Sequence, residues 1–146
     1  MNHFIDAFIL QAKQNPDSPA VLDCEGVYSY GELNHRSAYL AKIIFDTLKP
    51  GETTGRIALL LPRTKDFIAA WLAVFRAGCT VIPLSSEYPA ERISMILKDA
   101  QCPLCLTTEA LAEKVPGDER VCAGLPMQFP RYANRCADTA LGWSLE

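Results

Sequence analysis

The sequence predicts an α/β fold, a β-hairpin followed by a parallel βαβαβ unit, and three observations carry that prediction. Ile57–Leu61 is a continuous apolar run with the character of a strand covered on both faces, Thr80–Pro83 reads as a second buried strand and Leu104–Thr107 as a third. Helical patterns separate them, one over 64–77 and one after Pro89. Strands that alternate with crossover helices return in the same direction, so the three should pair in parallel through right-handed crossovers.

Each element follows from local chemistry. Asn2–Gln14 places Phe4, Phe8 and Ala12 on one helical face, and Asn15-Pro16 stops it because proline bars the preceding residue from helical geometry. Ala20–Asp23 and Val27–Tyr30 flank Cys24-Glu25-Gly26, a three-residue connection that reads as a hairpin. From Gly31 to Thr47 a stripe of Leu33, Leu40, Ile44 and Leu48 predicts an amphipathic helix ended by Lys49-Pro50-Gly51, with Glu32 and Arg36 as a surface pair. TKDFIAAWLAVFRA at 64–77 is apolar around most of its circumference, which marks a buried helix, and Gly78 fits its C-terminal cap. Pro83 is expected only at the end of its strand. Pro89 opens the next helix at its first turn, with Ile93, Ile96, Leu97 and Ala100 inward. Glu109–Lys114 suits a short helix. Beyond it Pro116-Gly117, Gly124, Pro126, Pro130 and Gly142 punctuate a stretch without a clear period. The expected division is therefore 1–108, an α/β subdomain, and 109–146, a weakly patterned tail.

Composition narrows the classes of function. The chain has 146 residues, 49% hydrophobic and 21% charged, which is globular rather than disordered. A net charge of −3 gives no electrostatic reason for nucleic acid or an anionic membrane as partner. The opening MNHFIDAFILQAKQNPDS has no basic leader, and Asp6 interrupts its apolar run. No stretch approaches the ~20 apolar residues that span a bilayer. These features predict a cytoplasmic protein whose six cysteines are reduced thiols.

Candidate chemistry is thin. GETTGR at 51–56 looks like a phosphate-gripping loop, but it leads from a helix into a strand, so the helix N-terminus that such a loop needs is missing. A solvated connection is favoured. Cys102-Pro103-Leu104-Cys105 has metal or redox spacing, yet its second cysteine falls in a strand and Cys24, Cys79, Cys122 and Cys136 form no second pair. Buried apolar cysteines fit better. Of the two histidines, His3 and His35, His35 lies on a helix with charged neighbours and no patterned cysteine or serine, and is expected at the surface. Ser85, Ser86 and Glu87 crowd a strand end, where α/β folds bind ligands, but they are also the ordinary residues of a helix-opening turn, which is preferred. Trp71 and Phe75, four apart, are core. No catalytic, cofactor-binding or metal residue is assigned.

Four stretches carry a resemblance. They are NPDSPAVLDCEGVYSYGEL at 15–33, RIALLLPRTKDFIAAWLAVFRAG at 56–78, CTVIPLSSEYPAERISMILKDAQ at 79–101 and LCLTT at 104–108. In this order they resemble the N-terminal end of the AMP-binding, adenylate-forming enzymes: acyl-CoA synthetases, nonribosomal peptide synthetase adenylation domains and luciferase-like ligases. Ala-Gly, a short strand, Pro-Leu and Tyr-Pro-x-Glu-Arg are particularly like the peptide-synthetase branch. Ser85-Ser86 departs from it, standing where Asp-Pro is common.

The resemblance implies an incomplete N-terminal portion of an adenylation domain. Complete family enzymes use ATP and Mg²⁺ to convert a carboxylic or amino acid to an acyl-adenylate, then pass the acyl group to a thiol. Their phosphate loop, Mg²⁺ site, ribose-binding aspartate and lid lysine lie downstream of the matched stretches, and nothing after Thr108 resembles them. The expectation is thus a ligase fragment inactive alone, without its own cofactor, whose partner is the missing C-terminal part or a second copy. The alternatives are a scaffold or interaction module that has lost catalysis, with Leu125, Phe129, Tyr132 and Trp143 sealing the sheet, and a small nucleotide- or acyl-binding α/β protein.

Overall fold

The computed structural model describes residues 3–48, 55–115 and 121–122. Helix α1 (His3–Gln14) leads to strands β1 (Pro19–Asp23) and β2 (Gly26–Ser29), which pair antiparallel as a sheet of their own. Then come α2 (Tyr30–Thr47), β3 (Arg56–Leu60), α3 (Lys65–Arg76), β4 (Thr80–Leu84), α4 (Ala90–Ala100), β5 (Leu104–Thr107), α5 (Glu109–Ala112) and β6 (Val121–Cys122). The second sheet has the order β4-β3-β5-β6, parallel throughout. The predicted hairpin and βαβαβ unit are both present.

Strand alternation divides the interior into two cores. Ile57 and Leu59 of β3, with Leu104 and Leu106 of β5, face α2 and α3. Ala58 and Leu60, with Leu84 and Cys105, face Ile93 and Leu97 of α4. Residues 57–60 are all fully buried, which is why they read as an unbroken apolar run rather than an alternating one. The layers are helix, sheet, helix. Ala69, Ala70 and Ala73 of α3 are small enough to bring that helix close to Leu40, Ala41 and Ile44 of α2 within one core.

Local departures from the sequence reading each have a cause. The hairpin connection is two residues, Cys24-Glu25, because Gly26 already pairs with Asp23 and takes φ +144°, which glycine adopts without strain. Tyr30 belongs to α2 and not to β2. Ser29 caps that helix: its hydroxyl accepts the Glu32 N–H at 3.2 Å while the Glu32 carboxylate accepts the Ser29 N–H at 2.9 Å, a reciprocal capping box. Pro83 lies inside β4 rather than at its end; among the described residues β4 has a neighbour on one side only, so a missing N–H is tolerated there. Pro89 is the residue before α4, not its first turn. Residues past 108 include α5 and β6, and β6 adds a parallel strand beside β5. The expected Lys49-Pro50-Gly51 stop lies outside the described residues; α2 ends with the Leu48 N–H donating to the Ile44 carbonyl at 3.0 Å.

Gly78 follows α3 with φ +72°. Open space surrounds the place of a Cβ, so only the backbone would resist a side chain. Gly78→Ala is expected to cost about 1 kcal/mol, the left-handed penalty for an L-residue, seen as a lower denaturant midpoint at unchanged slope.

Candidate functional site

In a parallel α/β sheet the place to look is the carboxyl end of the strands. Here β3 runs into Pro62-Arg63-Thr64, β4 into Ser85-Ser86-Glu87 and β5 into Thr108. The serine turn is occupied with holding itself. Ser85 Oγ accepts the Glu87 N–H at 3.2 Å, and its carbonyl accepts the Tyr88 N–H at 3.1 Å. Lys114 Nζ, reaching from beyond α5, donates to the carbonyls of Ser86 at 2.6 Å and Tyr88 at 3.3 Å. The Arg92 guanidinium lies over the Tyr88 ring, 4.4 Å from its centroid and within cation–π range. Thr107 is fully buried, and its hydroxyl donates to the Thr108 carbonyl at 3.5 Å. This is a braced helix-opening turn.

A second polar cluster gathers at the start of α3. Thr64 supplies no side-chain cap. The missing acceptor comes from the hairpin instead: the Asp23 carboxylate accepts the Lys65 N–H at 2.9 Å and the Lys65 ammonium at 3.3 Å, while also accepting the N–H groups of Glu25 at 2.8 Å and Gly26 at 3.1 Å. The position an anion would take at this helix N-terminus is therefore filled by the chain's own carboxylate. Beside it the Tyr28 hydroxyl donates to the Asp66 carboxylate at 2.6 Å. The Tyr28 ring has Arg36 at 4.3 Å and Lys65 at 5.0 Å from its centroid.

Both anchors carry shifted proton affinities. The Lys65 backbone N–H, chiefly, holds the Asp23 carboxyl below its ordinary range, against a partly opposing desolvation. A lowered carboxyl stabilises the fold above the unfolded aspartate value, about 3.9, and that contribution disappears as pH falls towards the folded one. Burial first, then the bond to Asp66, pushes the Tyr28 phenol up. Its contribution is whole below the unfolded tyrosine value, about 10, and is lost as pH rises beyond it. A fall in melting temperature above pH 10 that is blunted in Tyr28→Phe is the expected result of a pH series.

The remaining candidates take structural places. Residues 51–54 of GETTGR lie outside the described residues; Gly55 has φ +65°, and Arg56 starts β3 and donates to the Ala100 carbonyl at 3.0 Å, bracing the end of α4. Cys102 and Cys105 are both buried in the α4-side core. Burial pushes the Cys79 thiol up, and Cys24 is exposed at the hairpin turn. The side chains of Cys122 and Cys136 lie outside the described residues, as do Leu125, Phe129, Tyr132 and Trp143. Among the described residues no group of three or more His, Cys, Asp or Glu could hold a metal ion, and no helix is long and apolar enough to cross a membrane. His3 is exposed; His35 is half-buried on α2. Trp71 meets Phe75 at 6.3 Å and Phe67 at 5.5 Å, edge to face, packed against the core.

What these elements build is a framework: a parallel sheet with two covered faces, whose β4 end is braced by Ser85 and Lys114. A profile of the family described as AMP-binding enzyme matches residues 8–138. The chain belongs to that family. It is 38% identical over 117 residues to a dimodular nonribosomal peptide synthase of Bacillus subtilis, 32% identical over 121 residues to enterobactin synthase component F of Escherichia coli, and 36% identical over 105 residues to novobiocin biosynthesis protein H of Streptomyces niveus. These matches take in 80%, 80% and 71% of this chain, but only 5%, 9% and 17% of the relatives. The chain thus spans a small part of each curated relative. The fold agrees with the nonribosomal peptide synthetase FmoA3 (TM-score 0.73, 19% identity, 90% of this chain and 14% of that one). It agrees similarly with the N-terminal subdomain of Klebsiella oxytoca NpsA (TM-score 0.70, 22% identity, 82% and 30%). The chain corresponds to an N-terminal part of the AMP-binding family's domain.

Sequence reasoning missed Asp23, Tyr28, Lys65, Asp66 and Lys114 as a set. Their partners are 26 to 42 residues apart, beyond the reach of any local period. The capping box was within reach, since Ser-x-x-Glu at 29–32 precedes an apolar stripe.

Proposed function

We propose that this chain supplies the scaffold layer of an ATP-dependent acid–thiol ligase, with the adenylation chemistry carried by the portion of the family domain that follows it. The complete enzyme would use ATP and Mg²⁺ to activate a carboxylic or amino acid in the cytoplasm and transfer it to a thiol. One observation supports this above the others: the four family-like stretches between 15 and 108 fall in order on the hairpin, β3, α3, β4, α4 and β5. Around the strand ends, the polar side chains serve capping and bracing. Adenylyl transfer needs groups that stabilise developing charge on phosphate, and Asp23 instead places negative charge at the start of α3. The partner on this reading is the rest of the ligase domain, with self-association as the substitute when it is absent.

The 146-residue chain alone is expected to show no thermal shift with ATP–Mg²⁺, AMP or an acyl-adenylate analogue, and no ATP–pyrophosphate exchange. Saturable stabilisation by any of the three nucleotides would overturn the scaffold assignment in favour of a nucleotide- or acyl-binding protein.

A further inference from the structure

The phase of the parallel ladder decides which backbone groups of β4 face outwards. Arg56 and Thr80 are partners in register, and the Thr80 N–H donates to the carbonyl of Gly55, so Thr80 turns its backbone groups towards β3. That direction alternates along a strand, so Ile82 and Leu84 also face β3, while Val81 and Pro83 face away from it. Proline has no N–H to give. Within β4, Val81 therefore supplies the one outward donor. The flanking residues of the same phase are already engaged: the Cys79 N–H donates to the Val74 carbonyl at 3.0 Å, and the Ser85 carbonyl accepts the Tyr88 N–H at 3.1 Å. Among the described residues no strand pairs with this edge, and Thr80 and Pro83 are exposed there.

We infer that Pro83 closes the β4 edge to strand addition, which makes β4 the outer limit of the sheet and keeps copies of this chain, or a strand of another protein, from joining it there. A strand added to this edge needs ladder donors from both Val81 and Pro83, and it finds one. Without the proline the edge would be an inviting template, because Thr80, Val81 and Ile82 are three β-branched residues in a row. A proline whose nitrogen points outwards blunts that template and takes no hydrogen bond from the pairing with β3.

Amide exchange followed residue by residue by NMR on the full 146-residue chain tests this. In the unaltered protein the Val81 amide should exchange at least about tenfold faster than those of Ile82 and Leu84, which face β3. Protection of Val81 equal to theirs means that a strand already covers the edge and overturns the closure, and that arm needs no variant to fold. Pro83→Val restores a donor on a side chain suited to strands. It should lower the concentration at which the chain self-associates in sedimentation velocity by at least about tenfold, with Val81 gaining protection in the associated form. Self-association unchanged from the unaltered protein, or increased without protection at Val81, overturns the closure as well.

Discussion

Leu59→Ala is expected to lower the free energy of unfolding by about 2–5 kcal/mol, the range for truncating a fully buried leucine. Leu59 is fully buried in β3, in register with Pro83 of β4 on one side and Leu106 of β5 on the other. Its side chain enters the core shared with α2 and α3, where Leu104 and Leu106 are also held by strand positions and cannot slide to fill the space. The cost therefore contains both lost transfer energy and an unrelaxed cavity. Urea unfolding followed by circular dichroism measures it, with the slope unchanged if only packing is lost. A change below about 1 kcal/mol would mean that β3 is not the centre of the sheet.

The second large effect comes from adding atoms. Ala70→Leu should cost about 1–3 kcal/mol, because Ala69, Ala70 and Ala73 are fully buried where α3 shares a core with Leu40, Ala41 and Ile44 of α2. The added carbons must force off-rotamer side chains or move the helices apart. Leucine has nearly alanine's helix propensity, so the loss cannot be attributed to α3 itself. Ala70→Ser, similar in volume, should cost much less of the packing, and a variant pair measured by thermal melting separates the two sources. Equal losses in both would point to polarity rather than space.

The sheet was legible because its chemistry is local. Ile57–Leu61 and Leu104–Thr107 are apolar without alternation, and burial on both faces is the arrangement that suits them. Helix α3 was legible for the same reason: a helix apolar on most sides has to be enclosed. Pro83 misled because proline tolerance depends on whether a strand has one neighbour or two, a property of sheet order that no short window contains. Strand β6 is two residues long, and its existence rests on β5 offering an edge. The polar attachments were the least legible. Tyr28 and Asp66 stand 38 residues apart, and each alone is an ordinary residue for a strand or a first helical turn.

The family was read from resemblance rather than spacing, and neither the resemblance nor the spacing assigned a site residue. Ser85, Ser86 and Glu87 look like a ligand edge in sequence, but the Ser85 hydroxyl accepts from the backbone of its own turn, and the Lys114 ammonium, from beyond α5, donates to two carbonyls of the same turn. The apparent phosphate loop ends in Arg56, which braces α4. Cys102 and Cys105, the other candidate pair, are placed in the core instead.

Native purification of the protein from its source cells, with intact-mass analysis and ATP–pyrophosphate exchange on the product, tests the scaffold assignment most directly. The expected result is a phosphate-loop-bearing continuation or stoichiometric partner, with exchange dependent on its presence. Recovery of a lone 146-residue polypeptide that catalyses exchange by itself would contradict it.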